Sequence, residues 1–274
     1  MMPVSTASTS QLPQTPAASD QLRWPLPKPA STLSRGSAAV IPWLWEGCLA
    51  RGHSSLLSAL PKAGKTTLLA YLLRQLQAGD ECLGLATKPT RTILVTEESE
   101  ILWARRRDSL RLDDHLGIIS RPFLARPSHA AWQSFVGHLL RVARDQKAAL
   151  VAFDTIGKFA PWINENDSAD VTNALMPLDR LTRAGHAVLL THHNGKSDQR
   201  EGKAIRGSTA LTASADILLE LRRFRPADSR DCRRVLSGMS RLDGAPNDLL
   251  VSLEADGSYV AEGDRAIATP WLPN

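Results

Sequence analysis

The stretch that decides the fold is Ala59, Leu60, Pro61, Lys62, Ala63, Gly64, Lys65, Thr66 and Thr67, reading ALPKAGKTT. It leaves an apolar run, Ser54–Leu60, and enters a helical pattern, Thr66–Gln77, that Gly79 ends as a C-cap. A strand, a Gly-containing loop and a helix in that order are the context a phosphate-binding loop requires. Free N–H groups of the loop and of the helix N-terminus would point at phosphate oxygens. Lys65 would reach the β- and γ-phosphates, and the Thr66 hydroxyl would hold Mg2+. The first position of such loops is normally glycine and here is Ala59. A Cβ there is expected to restrict the turn and weaken nucleotide affinity.

Reading outward from the loop, strands and helices alternate. Thr92–Thr96 (TILVT) reads as a strand, Ser99–Asp113 as a charged helix and Ala131–Asp145 as a further helix. Ala148–Phe153 (AALVAF) is a continuous apolar run, as expected of a strand covered on both faces. Asp167 is placed to cap a helix over Ala169–Arg183, and Ala187–Thr191 (AVLLT) reads as the next buried strand. A polar stretch, Asn194–Gly207, reads as a long loop. Short strands follow at Asp216–Leu221, Arg233–Ser237, Asp248–Leu253 and Ser258–Ala261. The fold class expected is α/β, with a mostly parallel central sheet flanked by helices and a C-terminal β-meander.

The ends of these strands carry the chemistry. Asp154 follows AALVAF, where a metal-binding aspartate would sit; capping the next turn is its other use. Glu97 and Glu98 end TILVT, and strand ends of an open α/β sheet face the ligand crevice. A carboxylate there would orient an attacking water, although taken alone the pair reads as solvated acids opening the next helix. His192 and His193 end AVLLT; alternation sends them to opposite faces, so one of them lines the crevice.

The chain has 274 residues and a formal net charge of +5, with 25 arginines among its 33 basic residues. That length suits one large domain or two small ones. Residues 1–38 hold 6 of the 17 prolines, 11 Ser or Thr and one acid, Asp20, and read as a disordered tail. The folded domain is expected over 39–265, followed by a short tail, 266–274. Three cysteines without CxxC spacing argue against a disulfide scaffold or a structural zinc site. No apolar run reaches the roughly 18–20 residues of a membrane helix, and no apolar segment follows Met1 as a secretory signal would. A cytoplasmic setting without membrane contact is expected.

Taken in order, the GKTT loop, the TEES strand end, LVAFDT, THHNGKS and the late RGSTALTASAD segment resemble the RecA-like P-loop ATPases. The resemblance is particularly to the plasmid RepA and DnaB-type hexameric helicase branch, an AAA-type ATPase domain, and covers roughly 41–260. It implies ATP and Mg2+ as cofactors, Lys65 and Thr66 on phosphate and metal, and Asp154 as the Walker B acid. It further implies Glu97 as the catalytic glutamate and His192 as the residue coupling the γ-phosphate to a polynucleotide. Arg206 matches an arginine preceding the late strand that serves the nucleotide site. Arg241, in SGMSRLDG, resembles the arginine finger that such rings insert into a neighbour's site. Lys196, Arg200 and Lys203 lie in the loop that in this family touches single-stranded DNA. The resemblance implies a homo-oligomeric ring, a hexamer in this branch.

The charge is unevenly spread. Residues 221–241 hold seven arginines against Asp228 and Asp231, whereas 242–274 hold six acids and one base, Arg265. Such a strip suits a phosphate backbone or the acidic end of a neighbouring subunit. The expected function is an ATP-hydrolysing motor of replicative-helicase type acting on single-stranded DNA. The alternatives are a recombination or repair ATPase that does not unwind, or a nucleotide switch with little turnover.

Overall fold

The computed structural model describes residues 26–32, 41–193, 210–228 and 230–264. The chain divides into two units, Met1–Ala39 and Val40–Asn274. Within the first, Ala30–Thr32 forms a single exposed 3-10 turn.

In the second unit, β1 (Trp43–Trp45) and β2 (Leu49–Ala50) make a small hairpin. The main chain then runs through β3 (Ser54–Ala59), α1 (Lys65–Ala78), β4 (Thr92–Thr96), α2 (Glu100–Leu110), β5 (Leu116–Ser120) and α3 (His129–Asp145). Next come β6 (Leu150–Asp154), α4 (Ile156–Phe159), α5 (Ser168–Leu175), α6 (Asp179–Arg183), β7 (Ala187–His193) and α7 (Ala210–Ala213). The last strands are β8 (Ile217–Arg223), β9 (Arg233–Ser240), β10 (Leu249–Leu253) and β11 (Tyr259–Asp264). Among the described residues nine strands form one sheet in the order β11-β10-β9-β8-β3-β7-β6-β4-β5. The six from β8 to β5 are parallel and the rest of the sheet is antiparallel. This is the α/β architecture with a C-terminal meander that the alternating pattern implies.

Strand alternation divides the core between the two faces of the sheet. On β6, Leu150 and Ala152 pack with α1 residues such as Leu68, Leu72 and Leu76, while Val151 and Phe153 pack with Trp132 and Val136 of α3. Both faces are thus covered, which explains why AALVAF is apolar without alternation. Three fully buried tryptophans each satisfy their indole N–H: Trp45 on the Cys82 carbonyl, Trp103 on Thr96 Oγ1 and Trp132 on the Ala174 carbonyl.

One expectation needs correction. The helix read over Ala169–Arg183 is two helices joined by a 3-10 turn at Met176–Leu178. Pro177 has no N–H to continue the ladder, so the turn tightens there. Asp167 does cap the first of them, accepting from the N–H groups of Ala169 and Asp170. Five elements, β1, β2, β5, α4 and α7, carry no readable signal. The β1–β2 hairpin is too short for a period, β5 is a half-exposed edge strand, and α4 and α7 are single turns.

The parallel register sets the site. Thr96 stands opposite Asp154, and Ala59 opposite His193, so the C-terminal ends of β3, β4, β6 and β7 finish in one row. The core beneath that row is held by Trp132, which is fully buried and tilted against Phe153 at 5.8 Å between ring centres. Trp132→Ala is predicted to cost about 3–5 kcal/mol, read as a lowered urea midpoint with an unchanged slope. An unchanged midpoint would contradict this packing.

Candidate nucleotide site

The loop between β3 and α1 is built by two left-handed residues, Lys62 at φ 63° and Gly64 at φ 104°. Gly64 is the position where glycine is required, both for its φ and because a Cβ would stand 3.0 Å from the Tyr259 hydroxyl. Ala59 has no positive φ and closes β3 in register with His193 and Leu221. Its methyl is fully buried in the core, so the geometric ground for expecting a weakened turn at Ala59 is removed.

Thr66, in the first turn of α1, donates its hydroxyl to Asp154 Oδ2 at 3.0 Å, and Thr191 donates to the other oxygen at 2.6 Å. Asp154 is 2% exposed. A carboxylate so buried and held by two hydroxyls is a hard oxygen donor set, which fits a divalent cation such as Mg2+. Thr66 and Asp154 are the residues that would hold it.

Lys65 is 4% exposed and donates to the His192 carbonyl at 2.9 Å and to His193 Nδ1 at 3.0 Å. An ammonium only donates, so the His193 proton belongs on Nε2. Burial pulls the Lys65 ammonium down to about 8, against the opposing pull of Asp154 and Glu97. Burial likewise holds both histidines below the usual imidazole range, His192 despite the pull of Glu165. Both are therefore neutral at pH 7.

The two strand-end pairs separate cleanly. Glu98 is engaged by Arg106 in a two-point contact, with one bond at 3.0 Å. Glu97 has its N–H on the Asp154 carbonyl at 2.9 Å and its carboxylate 3.7 Å from Lys158 Nζ, which places it beside the Asp154 end of the row. The His192 ring turns to Glu165, 3.4 Å away, while the His193 ring meets Lys65. The structure thus brings Lys65, Thr66, Asp154 and Glu97 together at one crevice, with the His192 backbone and the His193 ring as its β7 wall.

Arg241 is elsewhere. Its guanidinium donates to the Ala213 carbonyl at 2.9 Å and lies 3.4 Å from Asp216, whose other oxygen accepts from Ser54 N–H at the start of β3. The length of β3, roughly 17 Å of strand, separates that end from the loop. Lys196, Arg200, Lys203 and Arg206 lie outside the described residues. The arginine strip is largely engaged within the chain. Arg222 pairs with Asp248 at 2.9 Å, Arg233 forks onto Asp231 at 2.9 and 2.8 Å, and Arg223 and Arg234 bond to loop carbonyls. The acidic stretch after residue 241 therefore meets part of the strip inside one subunit, through Asp248.

Sequence reasoning missed Thr191, Lys158, Glu165, Arg234 and Tyr259. Thr191 was within reach, since it precedes the paired histidines on a strand next to AALVAF. The others join the site across separations that only the folded chain reveals; Arg234 meets Ala63 across 171 positions.

The lowered Lys65 generates a pH prediction. Phosphate binding needs the ammonium, and the free protein loses it as pH rises through about 8. Nucleotide binding at pH 8.5–9 should take up a proton, and the Kd should rise by up to about tenfold per pH unit above 8. Calorimetry in two buffers of different ionisation enthalpy measures the uptake. A pH-independent Kd up to pH 9.5 would contradict it.

Among the described residues, no helix is long and apolar enough to cross a membrane. No curated protein matches the chain at a significant level. A family model described as AAA domain matches residues 26–199, well over half of the chain, and that span contains the loop, Glu97, Asp154 and both histidines. With that match, and with Lys65, Thr66, Asp154 and Glu97 brought together beside the loop, the chain belongs to the AAA domain family of nucleotide-binding P-loop ATPases.

Proposed function

We propose that this ATPase is a RecA-like motor of the replicative-helicase type, hydrolysing ATP with Mg2+ and acting on single-stranded DNA as a ring. The observation that carries the reading is the end of β7. There the His192 carbonyl and the His193 ring hold the phosphate-binding Lys65, and the next residues in the chain are the basic segment with Lys196, Arg200 and Lys203. A change of phosphate at Lys65 therefore reaches, within three residues of chain, the segment suited to grip a nucleic-acid backbone.

In this reading the backbone N–H groups of the loop and the Lys65 ammonium bind the phosphates, and Thr66 and Asp154 hold the metal. The metal's contribution is to neutralise charge developing on the transferred phosphoryl group. Glu97 orients the attacking water and takes its proton, and Lys158 holds that carboxylate in position. Arg241, exposed at the far end of the sheet from its own loop, acts only on a neighbour's nucleotide. That requires subunits in head-to-tail contact, the arrangement a closed ring provides. A finger of this kind contributes about 10³–10⁵ in rate in well-studied GTPases.

Three results are expected. Single-stranded DNA should stimulate ATP turnover severalfold, an effect weakened at high salt. Lys65→Ala should abolish turnover. Arg241→Ala should abolish it too, yet regain part of it when mixed with Lys65→Ala chains, because loop and finger then come from different subunits. Nucleotide binding without turnover would favour the switch instead, and DNA-stimulated turnover without strand displacement on a forked duplex would favour the non-unwinding repair ATPase.

A further inference from the structure

Three consecutive carbonyls of the phosphate-binding loop are held from outside by strands β8, β9 and β11. Arg223 on β8 donates to the Lys62 carbonyl at 3.3 Å, Arg234 on β9 to the Ala63 carbonyl at 2.8 Å, and Tyr259 on β11 to the Gly64 carbonyl at 3.3 Å. All three residues lie beyond the 26–199 span that the family model matches.

Two of the holders are themselves fixed. Arg234 is 5% exposed, and its Nη1 bonds the carbonyls of Asp231 and Arg233 at 3.1 and 2.8 Å, so these contacts of the buried guanidinium end on backbone oxygens. Tyr259 is 3% exposed, its ring tilted against Tyr71 at 5.8 Å. Burial pushes its phenol up to about 12, so it remains a donor throughout the physiological range.

The geometry of the peptide bond turns these contacts into control of the site. In a trans peptide the C=O of one residue and the N–H of the next point in opposite directions. Pinning the Ala63 carbonyl outward aims the Gly64 N–H inward; the Gly64 carbonyl, which accepts from the Leu68 N–H of α1 at 2.9 Å and from Tyr259 as its second donor, does the same for the Lys65 N–H. Both belong to the start of α1, where N–H groups lack helical partners and serve anions. The Lys62 carbonyl directs the Ala63 N–H, which is already bound to the Leu60 carbonyl at 3.2 Å, so Arg223 has less to set. Holding is needed because Lys62 and Gly64 both sit in the left-handed region, where an unrestrained loop has other conformations available.

We propose that the C-terminal antiparallel strands strap the phosphate-binding loop, with Arg234 and Tyr259 as positioning residues that fix the Gly64 and Lys65 N–H groups toward the nucleotide phosphates. The inference rests on the reading of residues 59–67 as the phosphate site. It assigns the meander a part in nucleotide affinity.

The test is titration of a fluorescent ATP analogue, with kcat, KM and thermal midpoint, on the full chain carrying Tyr259→Phe, Arg234→Met or Arg234→Lys. The Kd should rise on the order of tenfold for Arg234→Met and severalfold for Tyr259→Phe, with Arg234→Lys between them. KM should follow Kd while kcat at saturation stays within about twofold, because the aimed N–H groups bind ground and transition states alike. A purely structural role would lower the midpoint and leave the Kd of the folded protein unchanged. Wild-type Kd in Tyr259→Phe overturns the proposal for the hydroxyl. Wild-type Kd in Arg234→Met, or in Arg234→Lys should the first variant not fold, overturns it for the guanidinium. Lys65→Ala separates the two levels: unchanged affinity there defeats the phosphate site itself, whereas a loss there with unchanged strap variants defeats the strap alone.

Discussion

A single buried carboxylate organises the molecule. Asp154 accepts from Thr66 on α1 and Thr191 on β7, and its backbone carbonyl accepts from Glu97 after β4. One residue at the end of β6 therefore ties together the helix that starts the phosphate site and both strands flanking β6. Burying an anion is costly unless hydrogen bonds and a cation compensate it. Here two hydroxyls meet its oxygens, and the nearby Lys65 charge supplies the electrostatic partner. The parallel register of β3, β7, β6 and β4 is what brings these groups to one level.

The electrostatics of the crevice favour a polyanion without saturating it. Lys65 is the central cation, and its two hydrogen-bond acceptors on β7 are neutral, one a carbonyl and one an imidazole held uncharged by burial. Neither competes with phosphate by charge. From the opposite side, the antiparallel strands meet the loop through its outward carbonyls. β9 spans the distance between two roles, with Arg234 on the loop at one end and Arg241 exposed just past the other.

Much of this was legible in the residues. The apolar runs TILVT, AALVAF and AVLLT are buried strands because helices cover both faces, and the residues just after them, Glu97 and Asp154, gather where strand ends of such sheets face a ligand. The limits have physical reasons too. A period cannot be read in a two-residue strand such as Leu49–Ala50. Pro177 breaks a helix whose apolar spacing continues through it. Glu97 and Glu98 are indistinguishable as neighbours until Arg106 claims one of them. The arginine-rich strip reads as one surface patch in sequence, yet the sheet directs Arg222 to Asp248 and its neighbour Arg223, with Arg234 opposite it in register, to the loop, because alternate residues of a strand face opposite ways.

On the reading proposed above, Thr66, Asp154 and Lys65 form one Mg–nucleotide site. It is tested most directly by determining the structure of the chain with Mg2+ and a non-hydrolysable ATP analogue. The metal is predicted between the Thr66 hydroxyl and the Asp154 carboxylate, with the terminal phosphates against Lys65 and the N–H groups of Gly64 and Lys65. A nucleotide bound away from residues 59–67, or a metal remote from both Thr66 and Asp154, would contradict it.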